Sequence, residues 1–178
     1  RPGFAGHEIA DPEAADDDRP LAAWLAGETG LPYLDACMRY LRATGWLDAP
    51  SRAMAVGCAT ALLGISPQAA GQALARRCTD YDPALHWPQV LAARPVHPLR
   101  LGLRLDPGGS FTRRWLPELA PVPEPFLHMP WRWEGARHLL GRRYPEPLVG
   151  LPPTLRQRSP RRPPCPGSAP QHQLCLDL

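Results

Sequence analysis

The chain of 178 residues contains no lysine and no asparagine, and all 20 of its basic residues are arginine. Together with 25 prolines, that bias suggests a GC-rich coding sequence and indicates no function. No apolar run approaches the roughly 18–20 residues needed to cross a bilayer, and no signal-peptide pattern is present. A membrane is therefore not an expected partner, and the cytoplasm is the default compartment. Five cysteines, an odd number with no Cys-x-x-Cys spacing, support neither a disulfide scaffold nor a zinc site. No Ser–His–Asp set, phosphate-cradling glycine loop or metal-ligating constellation occurs, so no metal is expected. The net charge of +3 is too mild to indicate nucleic acid, but it is unevenly spread. Residues 1–28 hold two arginines against seven acids, whereas residues 94–143 hold nine against four. A basic later half suits contact with phosphate, and an ordinary solvated surface explains it as well. The length fits about one domain, and a first residue Arg1 rather than Met reads as the C-terminal piece of something longer.

What is present centres on Trp24 to Met54. Glu28-Thr29-Gly30-Leu31-Pro32 is turn chemistry, with glycine for free φ and proline pre-set for a helix entrance. From Leu34, apolar residues recur at helical spacing (Leu34, Cys37, Met38, Leu41), while Asp35, Arg39 and Arg42 fall on an expected wet face. Gly45 closes that helix, and Asp48 ahead of Pro50 caps the next, expected over Ser51 to Leu63 and ended by Gly64. Ser66-Pro67 starts a further helix running to Cys78. Such short connections predict an all-α, multi-helix bundle. Cys37, Cys58 and Cys78 read as buried small apolar residues. Residues 1–20 read as an acidic loop or linker remnant, and residues 151–178 as a disordered Pro/Arg-rich tail without a core-forming period.

The central stretch also resembles a family pattern. Trp24, Gly27, Thr29, Gly30, Pro32, Asp35, Ala36, Met38, Arg39, Leu41, Thr44, Gly45 and Trp46 match W-x-x-G-x-T-G-x-P-x-x-D-A-x-M-R-x-L-x-x-T-G-W of the cryptochrome/DNA photolyase family. Asp106 to Leu119, His128-Met129-Pro130-Trp131 and Tyr144 to Val149 resemble later motifs of the same family. The resemblance covers roughly residues 24–149 and implies that residues 21–150 are the C-terminal part of a helical FAD-binding domain. The earlier half of that domain, which completes the flavin pocket in the family, is absent from this chain.

The resemblance implies a site. Asp80 and Asp82 match an Asp-x-Asp segment whose carboxylates face the flavin, and Arg52 is the cation placed beside them. A helix cap and a turn acid remain the plain alternative for the two aspartates. His86 stands where the family has an asparagine and is a weak candidate for proton chemistry. Other positions depart from the pattern. The asparagine expected at the ring edge is Ala49, with Asp48 able to replace it if the register slips by one. Two positions of the family's tryptophan electron relay hold Pro67 and Val90, and the segment between Gln89 and Arg94 is shortened. The implied function is light-driven repair of pyrimidine dimers by electron transfer from reduced FAD, with UV-damaged DNA as partner. The alternatives are a cryptochrome-like blue-light flavoprotein without repair activity and a truncated copy with no activity.

Overall fold

The computed structural model describes residues 19–150. The segment expected as a linker and the Pro/Arg-rich tail lie outside that range, except that Arg19 and Pro20 are already helical. The described residues form seven α-helices: α1 (Arg19–Ala26), α2 (Pro32–Thr44), α3 (Ala49–Ala61), α4 (Pro67–Ala75), α5 (Pro83–Ala92), α6 (Pro98–Leu105) and α7 (Ser110–Trp115). Short 3-10 turns follow to His138, and no strand forms among the described residues beyond an isolated bridge between Leu140 and Tyr144.

Local chemistry sets the boundaries. Pro32, Pro67, Pro83 and Pro98 open their helices, where a missing N–H costs nothing. Side chains of Asp48, Ser66 and Asp82 accept the first free N–H groups of α3, α4 and α5. Gly45, at φ +71°, ends α2 by donating to the Leu41 carbonyl. α2 begins at Pro32, the expected entrance; against expectation, α3 ends at Ala61 rather than Leu63, and Cys78 lies in the turn beyond α4.

The larger correction concerns α2. It packs against α1, α3, α6 and α7, and every residue from Leu31 to Met38 is buried. Asp35, expected on a wet face, is fully enclosed. Its carboxylate accepts from Thr29 N (2.9 Å), Thr29 Oγ1 (2.6 Å), Gly30 N (2.9 Å) and the Tyr144 hydroxyl (2.5 Å). Leu148 N donates to the Thr29 carbonyl at 3.0 Å, which straps the 140s across the α1–α2 turn. Burial pushes the Asp35 carboxyl up to about 6 although these bonds pull it down. Arg39, also expected to be wet, is partly buried and pairs with Glu118 at 2.7 Å.

Two apolar cores meet on α2. The larger draws on α1 to α6 around Trp24, Leu34, Met54 and Leu74, and the smaller gathers Leu116, Leu119, Leu127 and Tyr144 around Ala36. Arg113 organises the irregular stretch of the second core. Its Nη1 donates to the Leu119 and Ala120 carbonyls and its Nη2 to Val122 at 2.7 Å. Arg113→Ala leaves three carbonyls without that cation and is expected to lower stability by about 2 kcal/mol, read as a lower midpoint in urea.

Candidate functional site

Two recesses run together between α3 and α5. The smaller, about 230 Å³, is lined by Trp46, Leu47, Asp48, Asp80, Asp82 and Leu85. The larger, about 470 Å³, is walled by Ala53, Val56, Val90, Ala92 and Val96, with Arg94 at its edge. Ala49, Arg52, His86 and Gln89 belong to both, so the two form one trough with a polar end and an apolar end. A third recess beside Tyr33, His128 and Trp131 has room for about 10 Å³, enough for no more than a water.

Close helix approaches build the trough. A Cβ on Gly57 would lie 2.3 Å from the Arg94 carbonyl, so bare α3 backbone is what lets the 94–96 segment close the apolar end. A Cβ on Gly71 would lie 2.6 Å from the Trp87 ring, so α4 and α5 touch through that glycine. The same approach brings His86 Nε2 to 2.9 Å from the Gly71 carbonyl. A carbonyl only accepts, which assigns the proton to Nε2. His86 is buried, and Tyr81 and Trp87 meet its ring edge-on. It therefore lines the trough as a fixed wall residue.

At the polar end, Arg52 Nη2 donates to both Asp80 oxygens, at 3.0 and 2.8 Å, and to the Leu47 carbonyl at 3.1 Å. The Asp80 side chain is 45% exposed, so water screens the pair and its main effect is on geometry. Arg52 Nε is buried without a partner, an unmet donor in the wall. Asp82 caps α5 through Ala84 N at 2.8 Å, as the plain alternative had it. Its other oxygen makes no bond among the described residues. Asp48, capping α3 at Ser51 N, lines the polar end beside Ala49.

The structure thus brings Arg52, Asp80, Asp82 and His86 to one trough. Sequence reading missed most of the apolar wall, because Ala53 and Val56 are indistinguishable by type from core residues; Val90 was marked only as a departure from the family pattern. It also gave Trp46 no site role, although that ring is 47% exposed at the rim. The donor set fits one side of a large planar ligand that carries both acceptors and donors: an apolar wall for the ring, an unmet guanidinium N–H and two carboxylates. Among the described residues no cluster of side chains suits a metal ion, and no helix is long and apolar enough to cross a membrane.

Known proteins resemble the chain over most of its length. Cryptochrome-1 of Arabidopsis thaliana is 33% identical over 162 residues, which is 82% of this chain and 24% of the relative. A deoxyribodipyrimidine photo-lyase of Streptomyces griseus is 32% identical over 145 residues, 76% of this chain and 32% of the relative. The crystal structure of a Synechocystis cryptochrome superposes with a TM-score of 0.72 at 27% identity, over 76% of this chain and 31% of that one. The chain therefore spans about a third or less of the length of these proteins. Residues 4–159 match the family described as the FAD binding domain of DNA photolyase. With the helical fold, the trough between α3 and α5 and a match across most of its length, the chain belongs to the photolyase/cryptochrome FAD-binding-domain family.

Proposed function

We propose that the α3–α5 trough is one wall of an FAD site and that the protein it serves repairs UV-damaged DNA with light. The observation that carries the reading is Arg52. It is locked to Asp80 by two short bonds yet holds an unmet buried N–H in the trough wall. Bound there, FAD supplies light-driven one-electron chemistry. The chain's own residues bind and orient. Arg52 offers a donor and fixes Asp80 as an acceptor, Asp82 keeps one oxygen free, and Ala53, Val56 and Val90 exclude water from a ring face. His86 holds the wall in place through Gly71 rather than moving a proton. The opposing wall is to come from outside the described residues.

Repair rather than signalling is favoured by charge. Eight of the nine arginines between residues 94 and 143 are exposed, and Arg94 stands at the trough's edge. That arrangement suits a DNA backbone, whose binding weakens steeply with salt.

The test is FAD retention after excess cofactor is removed. Arg52→Ala is expected to weaken FAD binding by about 10- to 100-fold, the loss of charge-assisted hydrogen bonding. Exposed Arg104→Ala serves as control and should leave it unchanged; equal effects of the two would remove Arg52 from the site. Illumination of the loaded protein with damaged duplex then separates the alternatives. A blue-light sensor retains flavin and leaves the lesions, and an inactive copy retains no flavin.

A further inference from the structure

The charges that line the trough are unevenly placed. Asp48, Asp80 and Asp82 line the polar end with Arg52, three carboxylates to one guanidinium. Arg52 gives one Nη2 to both Asp80 oxygens, so its charge is already matched. Asp48 and Asp82 make no ion pair among the described residues, and each keeps one oxygen without a hydrogen bond. The N-termini of α3 and α5 also meet at this end, and such helix ends ordinarily attract phosphate. Here each is closed by its own carboxylate: Asp48 Oδ2 accepts from Ser51 N at 3.4 Å, and Asp82 Oδ1 from Ala84 N at 2.8 Å. Pro50 and Pro83 take a further N–H out of each first turn. The other lining cation, Arg94, stands at the edge of the opposite, apolar end.

We propose that this wall selects the uncharged head of a flavin, its ring and polyhydroxyl chain, and turns phosphate away. The inference rests on the proposed flavin site and adds the sign of its charge preference. Val56, Val90 and Val96 suit a ring face and would strip a charged group of its hydration. Hydroxyls donate as well as accept. The free oxygens of Asp48 and Asp82 therefore accept from a polyol chain, and the unmet Arg52 Nε donates to one of its oxygens. A phosphate dianion at the same end meets two uncompensated negative charges and finds both helix ends already taken. The diphosphate of FAD is thus held by groups other than the side chains that line this wall. What α3 and α5 supply is recognition of the head.

Equilibrium dialysis of the full chain against riboflavin and against FMN isolates the charge, since the two differ by one phosphate. Riboflavin is expected to bind at least about 10-fold more tightly at low salt, the effect of two like charges at a wet rim. The ratio should shrink in about 0.5 M salt, where such charges are screened. Asp48→Asn and Asp82→Asn keep a side chain able to cap a helix, and combined they should narrow the ratio by tightening FMN. Glu124→Gln, exposed and outside the trough, should leave the ratio as it is. FMN bound as tightly as riboflavin, or more tightly as Arg94 would favour, overturns the proposal and leaves the flavin site standing. A ratio untouched by the paired asparagine substitutions overturns it as well. Binding of neither flavin removes the site and the proposal together.

Discussion

Asp35→Asn is expected to destabilise the protein by at least about 3 kcal/mol in urea unfolding. Both carboxylate oxygens are used twice, Oδ1 by the Thr29 backbone and hydroxyl and Oδ2 by Gly30 N and the Tyr144 hydroxyl. An amide replaces one acceptor with a donor, so buried donors then face each other in a site closed to water. Each unmet buried group costs about 1–3 kcal/mol, a large share of a typical 5–15 kcal/mol total.

The pH dependence has a definite sign. Burial raises the folded Asp35 carboxyl from 3.8 to about 6, so the folded state holds the proton more tightly than the unfolded one. That contribution is fully present below about pH 4 and is lost as pH rises through about 6. The unmodified chain should therefore lose stability as pH rises from about 4 through about 6, and Asp35→Asn, which has no proton to release, should lack that slope. A slope of the opposite sign would mean that the four hydrogen bonds outweigh burial.

Gly30→Ala has the second large effect, about 2–5 kcal/mol. At φ +79° an alanine loses about 1–2 kcal/mol to the left-handed backbone. Its Cβ would also lie 2.5 Å from the Glu146 carbonyl and from Pro147 Cα, backbone that cannot turn aside. Overpacking of that kind adds about 1–3 kcal/mol. Gly64 isolates the two contributions. Its φ is similarly positive, +70°, and nothing lies within 4 Å of its Cβ position. Gly64→Ala should show the backbone cost alone, and equal losses at the two glycines would remove the contact with the strap from the account.

Helix starts and stops were legible because they are written locally. Pro32, Asp48, Ser66 and Asp82 act within a few residues of where they stand. Asp35 was not legible, because its neighbours in sequence mark it as a polar residue between apolar ones. Its partner Tyr144 lies 109 positions away, and no periodicity reports such a contact. The trough divides the same way. Arg52, Asp80, Asp82 and His86 were singled out through a family pattern, not by chemistry that their spacing dictates. Most of the apolar wall, Ala53 and Val56 among it, had no pattern to mark it, since small apolar residues at helical spacing read as core, and the family pattern marked Trp46 without giving it a place in the site. Exposure alone distinguishes Trp46, and exposure is a property of the fold.

The strap that joins Tyr144 and Leu148 to the α1–α2 turn has a consequence on the ribosome. At about 5–20 residues per second, the 109 positions between Asp35 and Tyr144 take roughly 5–20 s to synthesise. Throughout that interval the nascent helices carry a carboxylate whose cover has not yet been translated. Completion of the smaller core, to which Tyr144 belongs, therefore waits on the last described segment, and ribosome pauses within that interval prolong the exposure to chaperones and proteases.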